Sequence, residues 1–106
     1  MSAKSINEEI ISISKQLIEN YKPEKIILFG SACNGNFKDG SDLDFLLVKK
    51  DVPKYGYKRM YEVRKLIKKK LPADFLVYQS DEFRSLVEDK EPFLMSILKE
   101  GRILYE

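Results

Sequence analysis

Three aspartates, Asp42, Asp44 and Asp74, and the pair Gly30-Ser31 are the residues whose types and spacing could do chemistry. Asp42 and Asp44 head a run, Phe45 to Val48, with the composition of a strand buried on both faces. Residues two apart in a strand point the same way, so these carboxylates project together, their Cα atoms roughly 6.5–7 Å apart. Ionised and entering an apolar sheet, they repel each other and lose hydration, a cost that a counter-charge must offset. A hard divalent cation is the economical one, because Mg²⁺ takes one or two carboxylates plus substrate phosphates. Asp-x-Asp alone is better met by two solvated or capping loop residues.

The Gly-Ser pair supplies the complement. Ile26 to Phe29 is a short apolar run stopped by Gly30, a buried strand entering a tight turn. Ala32, Cys33 and Asn34 can start a short helical turn before Gly35. Glycine lets backbone approach a ligand, and a serine hydroxyl with the N–H groups of a new helix makes a phosphate cradle. A lone Gly-Ser is an ordinary turn. Followed after ten residues by Asp-x-Asp opening a second strand, it sets a phosphate grip beside a metal grip.

Phe29-Gly30-Ser31, the ten-residue spacer and Asp42-Leu43-Asp44-Phe45 together resemble the signature of the polymerase-β-like nucleotidyltransferase superfamily. At this length the chain is most similar to the minimal nucleotidyltransferases, the MNT antitoxins encoded beside HEPN-domain toxins. The resemblance covers nearly the whole chain, through Gly101-Arg102-Ile103-Leu104-Tyr105. It implies an α/β (α+β) fold, a small mixed sheet of three to four strands flanked by helices, in a single domain over residues 1–106. It also implies two Mg²⁺ ions held by Asp42, Asp44 and Asp74, with ATP as substrate and Gly30, Ser31 and Ser41 binding the nucleotide. Asp74 would hold the metal beside the attacking oxygen and help remove its proton. The implied acceptor is a hydroxyl, a tyrosine, on a HEPN-domain toxin that the transfer silences. Ala32 and Asn34 stand where many minimal members carry arginines, which bears on how tightly the triphosphate is held. Two other readings stay open: an antitoxin that only masks its partner, and a small-molecule nucleotidyltransferase of the aminoglycoside type, as a homodimer or with a helical partner.

The elements that must position these residues are legible in order. Ser5 with Glu8 is a capping-box pattern, and Ile6, Ile10, Ile13, Leu17 and Tyr21 recur at helical spacing until Pro23. The spacer, residues 34–41, has loop composition, with Asp39-Gly40 as a turn pair and Lys38 as a loop lysine more often solvated than in reach of a phosphate. After the strand Asp42–Val48, Met60, Val63, Ile67 and Leu71 predict a helix from about Tyr57 to Leu71. Its other side carries Lys58, Arg59, Arg64, Lys65, Lys68, Lys69 and Lys70, a solvated face before it is a contact for RNA, an acidic protein surface or the triphosphate. Such a strand–helix–strand link suits a crossover between parallel strands.

Pro72 stops that helix, and Ala73 to Tyr78 is a third strand interrupted by Asp74. Beside the second strand, Asp74 completes a carboxylate triad; elsewhere it is an edge residue in solvent. Ser80 or Asp81 caps a helix to about Val87, and another runs from Pro92 to Glu100. Phe93 and Ile97, with Leu94 and Leu98, face inward there, and Gly101 ends it. Arg102 to Tyr105 is a short edge strand.

Composition narrows the classes. Hydrophobic content of 43% with 34% charged residues is that of a folded globular chain. A net charge of +2 gives no ground for direct nucleic-acid binding. One cysteine, Cys33, excludes an internal disulfide, and no apolar run is long enough to span a membrane. A cytoplasmic setting is expected. With no histidine, proton transfer falls to carboxylates, lysine or tyrosine.

Overall fold

The computed structural model describes residues 2–38 and 40–106, so the first residue of the expected Asp39-Gly40 turn lies outside the described residues. The chain runs α1 (Ala3–Gln16), β1 (Lys25–Phe29), α2 (Ser31–Asn34), β2 (Leu43–Lys49), α3 (Gly56–Arg64), β3 (Ala73–Gln79), α4 (Ser80–Glu88), α5 (Pro92–Glu100) and β4 (Arg102–Tyr105). One wider turn, Leu17–Tyr21, extends α1. The strands form a single mixed sheet in the order β3-β2-β1-β4, with β2 antiparallel to β1 and parallel to β3. The mixed sheet flanked by helices is the α+β architecture expected from the sequence. No helix among the described residues is long and apolar enough to cross a membrane.

Alternation along the strands divides the core in two. Ile26, Leu28, Leu43, Phe45, Leu47, Phe75 and Val77 face α1 and α3, where Ile13, Leu17 and Val63 meet them. Ile27, Leu46 and Val48 face α4 and α5, against Phe83, Leu94 and Ile97. Phe45 and Phe75 are register partners in β2 and β3, and their rings stack with centroids 5.5 Å apart. Such a pair adds about 0.5–1.5 kcal/mol beyond its burial. It lies one residue past Asp44 and Asp74, so it locks the register in which those two stand side by side.

Several local expectations give way to tertiary contacts. Ser2, not Ser5, caps α1: its hydroxyl accepts the Ser5 N–H at 3.2 Å, so the helix is under way before the Ser5–Glu8 pattern begins. Gln79 rather than Ser80 or Asp81 caps α4, in a reciprocal box with Glu82. In α5 the buried residues are Leu94 and Ile97, whereas Phe93 and Leu98 are 45% and 39% exposed. Phe93 turns instead to meet Phe29 edge-on.

The largest departure is α3, which ends at Arg64 instead of reaching Leu71. The side chains of α1 supply the reason. Gln16 donates to the Lys68 carbonyl and accepts the Lys68 N–H, both at 2.7 Å. Buried Glu9 accepts the N–H groups of Lys70 and Leu71. Residues 68–71 thus satisfy their backbone outside a helix, and Pro72 disfavours helical geometry at Leu71 in any case. The supposed basic helical face is therefore divided. Arg59 turns inward to the carbonyls of Pro53 and Val77 and to Glu82, and the chain from residue 65 returns to β3 through a turn and irregular backbone.

Glu9→Ala would strand two N–H groups just ahead of β3. A loss of about 2 kcal/mol, read as a lower denaturant midpoint with unchanged m-value, is expected, with Glu9→Gln recovering part of it. Equal stability of wild type and the alanine variant would show that Glu9 does not hold the return.

Candidate active site

Parallel pairing in register sets Asp44 directly beside Asp74, and antiparallel pairing sets Phe29 opposite Asp44 from the other side. Gly30 follows Phe29, so the turn after β1 comes down on the head of β2. Its φ is +77°, in the region where side chains are strained. A Cβ built there would lie 2.3 Å from Oδ2 of Asp44. The missing side chain of Gly30 is thus the space that the Asp44 carboxylate fills.

Ser31 opens α2, half-buried, directly after Gly30. Cys33 folds the turn back: its N–H reaches the Gly30 carbonyl and its thiol donates to the Leu28 carbonyl, both at 3.0 Å. Burial first of all pushes that thiol's pKa up, which keeps it protonated and structural. Ser41 belongs to the loop rather than to the Gly-Ser turn. Its hydroxyl accepts the Lys38 N–H at 3.1 Å and its own N–H reaches the Lys38 carbonyl at 2.9 Å, closing the turn that delivers Asp42.

Asp42 stands just before β2, exposed, with the Asp74 carboxyl within hydrogen-bonding reach. That hydrogen bond is the chief reason its pKa is raised, followed by burial and repulsion from Asp74, while Lys69 and Arg64 pull it back. Asp44 is half-buried, and its pKa is raised by loss of solvent first and then by the charges of Asp74 and Asp42. The structure therefore brings all three predicted aspartates together on one face at the strand heads. Among the described residues they do not close into a ready three-ligand cage. An open array of crowded carboxylates nevertheless fits Mg²⁺, which completes its shell with water and substrate phosphates.

Two cations face this cluster. Arg64, at the end of α3, places Nη2 3.4 Å from Oδ1 of Asp74. With Lys69 it lines a cavity of about 360 Å³ that also includes Asp42, Asp74 and Pro72. In the sequence both belong to one basic helical side, solvated by default, and no spacing signal singles them out. They converge because α3 stops early.

A family model described as polymerase beta, nucleotidyltransferase matches residues 8–106. Among solved structures, one from Sulfolobus solfataricus described as a "putative nucleotidyltransferase" superposes with a TM-score of 0.62 at 22% identity, covering 100% of this chain and 90% of that one. At that identity the likeness is one of fold. No curated protein matches.

Two substitutions test this geometry. Gly30→Ala combines a strained φ with overlap on Asp44, and a loss of about 1–2 kcal/mol with displacement of that carboxylate is expected. Asp44→Asn should do the reverse for stability. A raised folded pKa means that Asp44 helps folding only below its unfolded carboxylate value, and that help is lost as pH rises through the folded value. At neutral pH without divalent ions, Asp44→Asn should therefore raise the Tm by about 1–4 °C, with the gap closing toward pH 4. A Tm gap independent of pH would show that the repulsion is not the cause.

Proposed function

Because the chain belongs to the polymerase β nucleotidyltransferase family, we propose that it is a Mg²⁺-dependent nucleotidyltransferase moving AMP from ATP to a protein hydroxyl. The acceptor in this reading is a tyrosine of a HEPN-domain toxin, which the transfer silences. The observation that supports the chemistry is the row Gly30–Asp44–Asp74 with Asp42 alongside: a close-approach turn on one flank and three carboxylates at the centre. Tyrosine and toxin rest on the resemblance to minimal nucleotidyltransferases.

The reaction joins the acceptor oxygen to the α-phosphorus and breaks the bond from that phosphorus to the bridging oxygen, so that pyrophosphate leaves. Asp42, Asp44 and Asp74 would hold Mg²⁺, which when bound neutralises phosphate charge and makes the acceptor hydroxyl more acidic. Gly30 lets the turn come close to the β- and γ-phosphates, and Ser31 offers its hydroxyl and the opening N–H groups of α2. Asp74 takes the proton of the attacking hydroxyl, a role for which a positioned carboxylate suffices.

A binding-only antitoxin is favoured by one feature. Ala32 packs toward the core and Asn34 is exposed, so α2 brings no positive charge to the triphosphate. One experiment separates the two readings. The protein is incubated with its genomically neighbouring gene product, Mg²⁺ and α-labelled ATP. Label should appear on the neighbour's tyrosine and fall by about a hundredfold or more with Asp44→Asn. An unlabelled neighbour in an intact complex, with silencing unaffected by Asp44→Asn, would establish masking instead.

A further inference from the structure

The carboxylates have two unlike flanks. Toward β1 lies the Gly30–Ser31 turn, and toward β3 lie Arg64 and Lys69 around their cavity. Neighbouring strands are about 4.8 Å apart, so the two flanks are separated by roughly 10 Å across β2. In a displacement at phosphorus the attacking and leaving oxygens stand in line on opposite sides. With the β- and γ-phosphates on the Gly30–Ser31 flank, pyrophosphate departs toward β1, and the acceptor arrives from β3. Arg64 and Lys69 then lie too far round to grip the triphosphate tail. They meet the acceptor.

From this placement, and resting on the nucleotidyl-transfer reading above, we infer that Arg64 and Lys69 bind an acidic side chain flanking the acceptor hydroxyl, making this chain selective for an acidic segment of its protein partner. The Arg64–Asp74 pair is loose, at 3.4 Å, with both side chains about half exposed (52% and 50%). Such a pair contributes little to stability and is readily exchanged for another carboxylate. Arg64 also borders a second, larger cavity of about 800 Å³ along α3, walled by Pro53, Met60 and the rings of Tyr57 and Tyr61. Those two tyrosines are 68% and 67% exposed. Arg64 is common to both cavities, so an apolar residue of the partner can occupy the larger one while its acid reaches Arg64. A nucleic-acid backbone fits less well, because it needs a row of cations. Here the cations around the larger cavity, Lys58, Arg64 and Lys65, share its walls with Glu62 and four apolar or aromatic residues, and the chain carries only +2 overall.

The test is an anisotropy titration of the full chain in Mg²⁺ without nucleotide. Its probes are a labelled copolymer of glutamate and tyrosine, a lysine–tyrosine copolymer and a single-stranded oligoadenylate. The glutamate–tyrosine probe should bind best, and the double variant Arg64→Gln, Lys69→Gln should weaken it tenfold or more. The same variant should keep the rise in Tm that Mg²⁺ and ATP together produce in the wild type. Unchanged binding of the acidic probe by the double variant, or tighter binding of either other probe, would overturn the inference. The two readings fail separately. A wild-type Tm unmoved by Mg²⁺ and ATP counts against nucleotidyl transfer, whereas the copolymer series judges only the acceptor.

Discussion

Like charges crowded at the heads of two parallel strands are the constraint on which the rest of the structure depends. Asp44 and Asp74 are register partners, and Asp42 stands close enough for a hydrogen bond between carboxyls. Left to themselves these groups would move apart into water. They stay together because the next residues along each strand are committed to the core: Leu43, Phe45 and Leu47 in β2, and Ala73, Phe75 and Val77 in β3, are all buried. A slip of one residue would turn those side chains to the wrong face of the sheet. Burial worth several kcal/mol therefore outweighs electrostatic repulsion, most of which solvent screens at this rim.

That balance explains why the neighbouring pieces are so closely specified. Gly30 cannot carry a side chain, because the space is taken by Asp44. The return from α3 into β3 cannot be helical, because Glu9 and Gln16 of α1 already hold its backbone. A carboxylate and an amide far from the chemistry thus decide where β3 begins, and so where Asp74 stands. The same return carries Lys69 to the cluster, and the early stop of α3 leaves Arg64 beside Asp74. The cations that moderate the crowding are placed by the device that creates it.

The site that results is asymmetric in charge and in access. One flank offers backbone and a hydroxyl without a nearby cation in α2; the other offers two cations, one of which, Arg64, also borders the larger cavity on α3. A grip on phosphate made mostly of backbone is weaker than one reinforced by arginine. Within the proposed reaction, binding energy is then drawn more from the acceptor than from the triphosphate. An enzyme of that kind would act on a partner already bound.

Much of this was legible in the residues alone, where local chemistry is self-sufficient. Apolar runs ending in Gly30 or beginning after Asp42 and Ala73 announce strands, and Pro23 and Pro92 punctuate helices by sterics that no neighbour can change. The motif residues, too, declared themselves by type and spacing. Only the tertiary structure decided what depends on distant partners. The periodic residues Ile67 and Leu71 promised a longer α3, but hydrogen bonds from α1 prevailed, because a backbone group goes to whichever acceptor the fold brings nearest. Phe93 looked like core and stayed half exposed, because α5 turns Leu94 and Ile97 inward instead. Arg64 and Lys69 were indistinguishable from their basic neighbours until the chain was folded, since a charge acquires a role from what faces it and not from its place in the sequence.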